Sequence, residues 1–298
     1  MSLIERAGKQ LGLQPEKSKI EKAVDTLGTA DRGAVSAAAA QRQSYAPRDD
    51  RRETRRQITI DFDRVRAMGL ALPQDQSPLA EEFRLIKRPL VNAAHAADVH
   101  TPMENRNLIM VTSAGASEGK TFVAINLAFS IASEHDTHVL LIDADLTRPT
   151  IPSVLGFEAL PGLIDAVSDD TVDLADVMIR TNIENLSVLP AGLFRPGASE
   201  LLASGRMARF IDEIARRYSD RIIIFDSPPV LARSEPIVLA KHVGQIVFVV
   251  EAERTSRTAL DEALRLIGHE RVAGIVLNKA PAISMQDRFG HHYGYYGR

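Results

Sequence analysis

Short apolar runs alternate with longer helical patterns over most of the chain after residue 105. Six runs are typical of buried strands, at 108–111, 139–142, 186–189, 222–225, 246–250 and 272–277. Helices are expected between them, at 120–133, 160–168, 199–218, 235–242 and 256–268. Because strands that alternate with helices indicate βαβ units, the sequence predicts a doubly wound α/β fold, with a mostly parallel sheet and helices on both faces.

The apolar pattern is weaker before residue 105. Residues 1–57 are mostly charged or small, with few large apolar side chains, which is typical of a flexible tail or linker. Residues 58–104 regain apolar positions and are expected to form an arm on the main domain, with a helix from about 79 to 97. The main domain is then expected over 105–284, with a separate C-terminal tail over 285–298.

Three charged side chains recur at three-residue steps on the helix that precedes the main domain. They are Glu81, Arg84 and Lys87, and we place them on one polar stripe, away from the apolar positions of the helix. Two interpretations remain open. The stripe is either a solvated face or a self-association surface, on which the Glu of one subunit meets basic residues of the next.

Composition and charge exclude some kinds of chemistry and some partners. Cysteine is absent, which excludes disulfides and thiol catalysis. The formal net charge of −3 creates no field that favours nucleic acid or anionic lipid, so we expect no nucleic-acid partner. With no secretory pattern at the N-terminus and no apolar run of membrane-spanning length, we expect a cytoplasmic location and no transmembrane segment. Three of the five tyrosines, Tyr293, Tyr295 and Tyr296, lie in the last six residues, a skew that packing does not explain.

A loop of small residues connects the first strand to the first helix of the main domain. Its expected nucleotide-binding residues are Ala114, Gly115, Ala116, Ser117, Glu118, Gly119, Lys120, Thr121 and Phe122. Strand, loop, Gly-Lys-Thr and helix together indicate a phosphate-binding loop, whose amides point at a polyphosphate. Lys120 would reach the β and γ phosphates, and the Thr121 hydroxyl would ligate Mg²⁺. The strict pattern has Gly at position 114, and Ala fits there if its φ is negative.

Carboxylates follow two of the other strands. Asp143 and Asp145 come directly after the second strand, and Asp226 follows four apolar residues of the fourth, as a Walker B carboxylate does. Because the carboxyl ends of parallel strands meet at one edge of a sheet, these groups are expected beside the phosphate-binding loop, where they would serve a cation or a proton. Asn278, after the sixth strand, either contacts the nucleotide base or makes a turn.

These motifs resemble the bacterial tyrosine kinases that govern capsule and exopolysaccharide synthesis, a branch of the MinD/ParA-like P-loop ATPases. Residues 114–121 match the modified Walker A of that family, residues 142–148 its Walker A′, and residues 226–229 its Asp-Ser-Pro-Pro Walker B. The family's Glu-x-x-Arg-x-x-Arg helix is matched with Lys87 in place of the last Arg. Gly115 stands where MinD- and ParA-like ATPases carry a signature Lys, and the tyrosine-rich end is foreign to partitioning ATPases. The order of elements is also similar to that of autokinases associated with exosortase-linked exopolysaccharide systems.

The resemblance implies a protein-tyrosine autokinase that uses ATP and Mg²⁺. Lys120, Asp143 and Asp145 would be catalytic, and Thr121, Asp143 and Asp226 would hold the metal; which Asp orients the tyrosyl proton stays open. Tyr293, Tyr295 and Tyr296 would accept phosphate in trans, within a ring-like homo-oligomer built through Glu81, Arg84 and Lys87.

The resemblance also implies partners and a location. It implies a separate membrane-bound polysaccharide co-polymerase as activator, a cognate tyrosine phosphatase, and a place at the inner face of the plasma membrane. The competing interpretation is a MinD/ParA-like regulatory ATPase switch without tyrosine kinase activity.

Overall fold

The structure is a computed structural model that describes residues 56–95, 105–193, 197, 200–201 and 204–281. Most of the expected N-terminal tail, residues 1–57, lies outside these ranges, and so do the three C-terminal tyrosines. No helix within the described ranges has the length and apolar character needed to cross a bilayer.

A seven-stranded sheet forms the centre of the fold. In chain order the strands are β1 (Leu108–Ser113), β2 (His138–Asp143), β3 (Ile179–Arg180), β4 (Leu186–Leu189), β5 (Arg221–Asp226), β6 (Gln245–Glu251) and β7 (Val272–Asn278). Their order across the sheet is β3-β4-β2-β5-β1-β6-β7, and all neighbours are parallel except β3 and β4. The six predicted strands and the mostly parallel doubly wound fold are confirmed. The sequence did not predict β3, since two residues carry no periodicity.

Helices connect the strands and cover both faces of the sheet. They are α1 (Phe62–Ala67), α2 (Pro78–His95), α3 (Lys120–Ala132), α4 (Ile151–Leu155), α5 (Leu163–Ser168), α6 (Leu174–Val177), α7 (Gly205–Arg217), α8 (Glu235–Leu239) and α9 (Arg257–Ile267). The prediction missed the one-turn helices α4 and α6. The helix predicted over 199–218 is not continuous, because Glu200 and Leu201 are helical but α7 itself begins at Gly205, with Ser204 at its N-cap position.

Two apolar clusters fill the space between the sheet and its helices. Residues of α1 to α4 pack on one face, and residues of α5 to α9 pack on the other. Alternate residues of β1 divide between the clusters, so that Met110 belongs to one and Ile109 to the other. Because α3 lies between the sheet and α2, almost all of its side chains are buried, which explains its continuous run of apolar and small residues.

The segment before α2 packs on the main domain. Its apolar side chains, Ile60, Val65, Leu70 and Leu72, belong to the same cluster as α3. The backbone is also fixed there, because Ala71 donates its N–H to the side chain of Asn126 in α3 at 2.8 Å. This segment therefore lies where an arm was expected, whereas the domain boundaries themselves stay a prediction.

The predicted polar stripe on α2 is wrong for one of its three residues. Lys87 is only 7% exposed. Its ammonium donates to the carbonyl oxygen of Ser130 at 2.6 Å and pairs with Glu134 at 3.0 Å, at the C-terminal end of α3. A three-residue step falls short of a full helical turn by about 60°. Over two steps, Lys87 therefore turns away from Glu81 and into the interface between the two helices.

The other two members of the stripe remain near the surface. Arg84 donates to Glu81 at 2.6 Å and to the carbonyl oxygen of Asp75 at 2.6 Å. Both bonds lie within one chain, and the role of Glu81 and Arg84 in self-association stays a prediction.

Candidate nucleotide and metal site

The parallel register brings two carboxylates together at the end of the sheet. Asp143, the last residue of β2, is the register partner of Asp226, the last residue of β5, and both are fully buried. The backbone joins the two strands beyond this point, because Ala144 donates its N–H to the carbonyl oxygen of Asp226 at 2.9 Å. The expected convergence of strand-end carboxylates is therefore present.

Burial disfavours the ionised form of these two carboxyl groups and so raises the pKa of each. Desolvation is the main cause that raises the pKa of Asp226 to about 7, while the Thr121 hydroxyl and the Lys120 charge act in the opposite direction. Desolvation and the neighbouring charge of Asp226 likewise raise the pKa of Asp143 well above its usual range. Two neighbouring buried carboxyl groups are stable only if they are protonated or meet a cation.

The donor set at this point fits a divalent cation. Thr121 donates its hydroxyl to Asp226 at 2.6 Å and lies 3.1 Å from the hydroxyl of Thr150. The second carboxylate oxygen of Asp226, Oδ1, is buried and has no hydrogen-bond partner. Hydroxyl and carboxylate oxygens are the ligands that Mg²⁺ prefers, usually with waters and substrate phosphates completing its shell. Within the described ranges, no group of three or more His, Cys, Asp or Glu side chains is placed to hold a metal ion by itself.

The two oxygens of Asp143 are already engaged by backbone amides. Asp143 accepts from the N–H of Ile151 at 3.2 Å and from that of Asp145 at 3.3 Å, and these bonds shape the turn after β2. Asp145 is partly exposed, and it accepts from the N–H of Arg148 at 3.1 Å. The two carboxylates of this turn therefore differ: Asp143 is buried and bonded to backbone N–H groups, whereas Asp145 is partly exposed to solvent.

The loop before α3 has the backbone of an anion cradle. Ser117 and Gly119 both adopt left-handed conformations, with φ of 66° and 95°. Gly119 stands at the N-cap position of α3, and no side chain caps the first turn, so its amides remain free to face an anion. Ala114 does not have a positive φ, as its fit to the pattern requires.

Lys120 begins α3 under this cradle and is 8% exposed. Its charge acts on Asp226, so Lys120, Thr121, Asp143 and Asp226 all meet at one edge of the sheet. Their separate roles in metal binding or catalysis stay predictions.

Contacts behind the loop were not apparent from the sequence. Asn278, the last residue of β7, donates its side-chain N–H to the carbonyl oxygen of Glu118 at 2.9 Å, and Lys279 donates to that of Ser117 at 2.7 Å. A Cβ at Gly119 would lie 1.9 Å from the amide nitrogen of Asn278, so both conformation and space favour glycine there. Asn278 thus supports the loop backbone; its predicted contact with a nucleotide base stays a prediction.

The names of similar proteins describe an activity, as two of them illustrate. A putative tyrosine-protein kinase EpsB from Ralstonia nicotianae is 31% identical over 192 residues, which is 64% of this chain and 25% of that protein. A putative tyrosine-protein kinase CapB from Staphylococcus aureus is 29% identical over 224 residues, which is 74% of this chain and 92% of that protein. The chain thus spans about a quarter of EpsB and most of CapB.

A solved structure supports the same relationship. The chimerical protein CapA2B2 superposes with a TM-score of 0.61 at 27% identity, over 75% of this chain and 93% of that one. The ParA family profile, described as NUBPL iron-transfer P-loop NTPase, matches residues 104–288. Because that match covers more than half of the chain, the protein belongs to the ParA family of P-loop NTPases, and its predicted resemblance to bacterial tyrosine kinases within that family is confirmed.

Proposed function

We propose that this protein is an ATP-dependent protein-tyrosine autokinase that phosphorylates its own C-terminal tyrosines and regulates exopolysaccharide or capsule polymerisation and export. The observation that carries the proposal is the meeting of the phosphate-binding loop with two buried carboxylates at one sheet edge. The names of the kinase relatives support it, and so do the tyrosines that follow the described part of the chain.

ATP is the phosphoryl donor and Mg²⁺ the cofactor in this proposal. Thr121, Asp143 and Asp226 would hold Mg²⁺, which when bound neutralises charge on the phosphates. Lys120 and the free amides of the loop stabilise the negative charge on the transferred phosphoryl group. Asn278 supports the loop and contacts the base of the nucleotide.

We assign the proton-accepting role to Asp145 and metal binding to Asp143. Asp145 is partly exposed and can meet an incoming tyrosine hydroxyl. Asp143 is fully buried, and backbone N–H groups already occupy both of its oxygens on one side. A group in that position is suited to a buried cation and has no open path to a protein substrate.

The acceptors are Tyr293, Tyr295 and Tyr296. Tyr293, the first of these tyrosines, lies twelve positions after Pro281, where the described chain stops, and an extended chain of twelve steps spans about 40 Å. That reach is sufficient for a neighbouring copy, so transfer in trans within a ring-like homo-oligomer is the mode we propose. Several phosphates on one tail, each with a charge of roughly −1.5 to −2, would then repel one another and loosen the ring.

The proposed setting is the cytoplasmic face of the plasma membrane. A separate membrane-bound co-polymerase would act as activator there, and a cognate tyrosine phosphatase would reset the tail. These partners rest on the resemblance to capsule and exopolysaccharide kinases.

A regulatory ATPase switch of the MinD/ParA type is the competing function. The names of the relatives favour the kinase, and Gly115 stands where the switch ATPases carry their signature Lys.

Autophosphorylation with ATP and Mg²⁺ tests the proposal, run with and without a candidate membrane partner. Lys120→Met is expected to reduce tyrosine phosphorylation by at least about a hundredfold, because it removes the positive charge that stabilises the transferred phosphoryl group while keeping an unbranched side chain. Circular dichroism would check that the variant folds. Undiminished phosphorylation in Lys120→Met would remove the kinase assignment.

A further inference from the structure

The Glu118 side chain, within the phosphate-binding loop, faces away from solvent and is 5% exposed. One carboxylate oxygen accepts from the N–H of Gly115 at 2.9 Å, inside the same loop. The other accepts from the hydroxyl of Thr255 at 2.5 Å, in the turn between β6 and α9. The side chain thus joins two parts of the site that are 137 residues apart in the chain.

A second hydrogen bond holds the Thr255 hydroxyl in position. Its hydroxyl oxygen accepts from the N–H of Glu251, at the end of β6, at 3.0 Å. One hydroxyl therefore accepts from the sheet and donates to the loop. A carboxylate suits this position because it accepts at both oxygens, whereas an amide has one accepting oxygen and would present N–H groups to Thr255.

The loop requires such support because its backbone is strained. Ser117 has a φ of 66°, and a non-glycine residue in the left-handed region costs on the order of 1 kcal/mol or more. A loop that can relax must be ordered again when nucleotide binds, and this lowers the affinity. Contacts that hold the loop in its cradle shape before binding remove that cost.

We propose that Glu118 is a positioning residue that clasps the phosphate-binding loop to the turn after β6, and that Thr255 sets the affinity for nucleoside diphosphate through this clasp. The inference rests on the nucleotide-binding part of the proposed function. It gives Glu118 a role in holding the loop, distinct from a contact with the nucleotide, and it brings in Thr255, which belongs to no phosphate-binding motif.

Calorimetric titration of the full chain with ADP and Mg²⁺ tests the clasp without requiring phosphoryl transfer. Thr255→Val removes the hydroxyl at nearly constant volume and is expected to raise the Kd for ADP about tenfold, the usual effect of one hydrogen bond to a charged group. Thr255→Ser restores the hydroxyl and is expected to bind within about twofold of the unmodified chain.

Ser256→Ala is the matched control, because it removes the neighbouring hydroxyl, which caps α9 by accepting from the N–H of Ala259. It is expected to lower the thermal stability of the nucleotide-free protein, as loss of a helix cap does, and to leave the Kd for ADP unchanged. An equal loss of ADP affinity in Thr255→Val and Ser256→Ala would overturn the clasp, because any disturbance of the turn would then weaken ADP binding, whether or not it touched the bond to Glu118.

A double-mutant cycle completes the test. Glu118→Ala combined with Thr255→Val is expected to bind ADP no more than about twofold worse than Glu118→Ala alone, because both changes remove the same bond. The proposal would be overturned if the Kd for ADP of the double variant rose by the full product of the two single increases. It would also be overturned if Thr255→Val alone left that Kd unchanged. A protein that binds ADP with these differences but transfers no phosphate to tyrosine would overturn the kinase function and leave the clasp in place.

Discussion

At the scale of single residues, the Asp143–Asp226 pair is the feature that packing and stability explain least. Both carboxyl groups are fully buried at the same register position, and desolvation raises the pKa of each. Such a pair lowers the stability of a folded protein, and perturbed carboxyl groups of this kind are typical of functional sites that handle a cation or a proton.

The pKa shift of Asp226 predicts how stability depends on pH. Its pKa is about 7 in the folded chain, well above the 3.8 of an ordinary Asp, so the folded state holds a proton that the unfolded state releases. Stability contributed by this group is complete below about pH 4, falls as the pH rises to 7, and stays low above it. Asp226→Asn removes this loss and is expected to stabilise the nucleotide-free protein at pH 8 by roughly 2 kcal/mol, while reducing Mg²⁺-dependent nucleotide binding.

Urea denaturation in EDTA at pH 5 and pH 8 measures this effect. Asp145→Asn is the comparison variant. Asp145 lies in the adjacent turn, is partly exposed, and its charge is the smallest of the causes that act on Asp226, so this change is expected to remove much less of the pH dependence than Asp226→Asn does. An Asp226→Asn variant that loses stability at pH 8 relative to the unmodified chain would show that the pair is not a strained one.

At the scale of elements, the strand ends were predictable and the contacts between helices were not. Each apolar run marks where a strand stops, and the residues after β1, β2 and β5 are therefore brought together by parallel pairing alone. The register that sets Asp143 against Asp226 follows from the same rule. The sequence thus predicted the site's components from local pattern.

Features that depend on tertiary contact escaped that reasoning. The bond from Thr255 to Glu118 joins residues far apart in the chain, and no local pattern marks it. Helix α4 has five residues, too few for a hydrophobic period, although Pro152 near its start and Gly156 at its end are recognisable boundary signals. Lys87 was misplaced because a three-residue spacing was treated as a straight stripe.

The buried position of Lys87 predicts a stability effect between α2 and α3. Lys87→Met keeps the aliphatic stem but removes the ammonium that serves Ser130 and Glu134, and is expected to lower the free energy of unfolding by about 1–2 kcal/mol. Arg88→Met, at an exposed neighbouring position, is the control and is expected to change it by less than about 0.5 kcal/mol. Chemical denaturation of both variants gives the comparison, and equal stabilities would contradict the structural role of Lys87.

At the scale of the whole molecule, the self-association that we propose depends on which charged side chains of α2 remain exposed. Glu81 is exposed and Arg84 is half-buried, whereas Lys87 is engaged inside the chain. The interface that we expect therefore has fewer charged partners than the three-residue motif suggested.

Light scattering tests whether Glu81 and Arg84 build the oligomer. The double change Glu81→Ala with Arg84→Ala is expected to shift the mass from a multimer toward a single chain, because it removes the charges that would meet a neighbouring subunit. Lys87→Met is expected to leave the mass unchanged. If the double variant keeps the mass of the unmodified protein, the exposed face of α2 is only a solvated surface.

Mixing two variants tests the central claim, that one copy's nucleotide site phosphorylates another copy's tail. The donor carries Tyr293→Phe, Tyr295→Phe and Tyr296→Phe with an intact Lys120, and the acceptor carries Lys120→Met with all three tyrosines. After incubation with ATP and Mg²⁺, intact mass and peptide mapping are expected to show several phosphates on the acceptor, all within its last six residues. An acceptor that stays unmodified, under conditions in which the unmodified protein phosphorylates its own tail, would contradict the account.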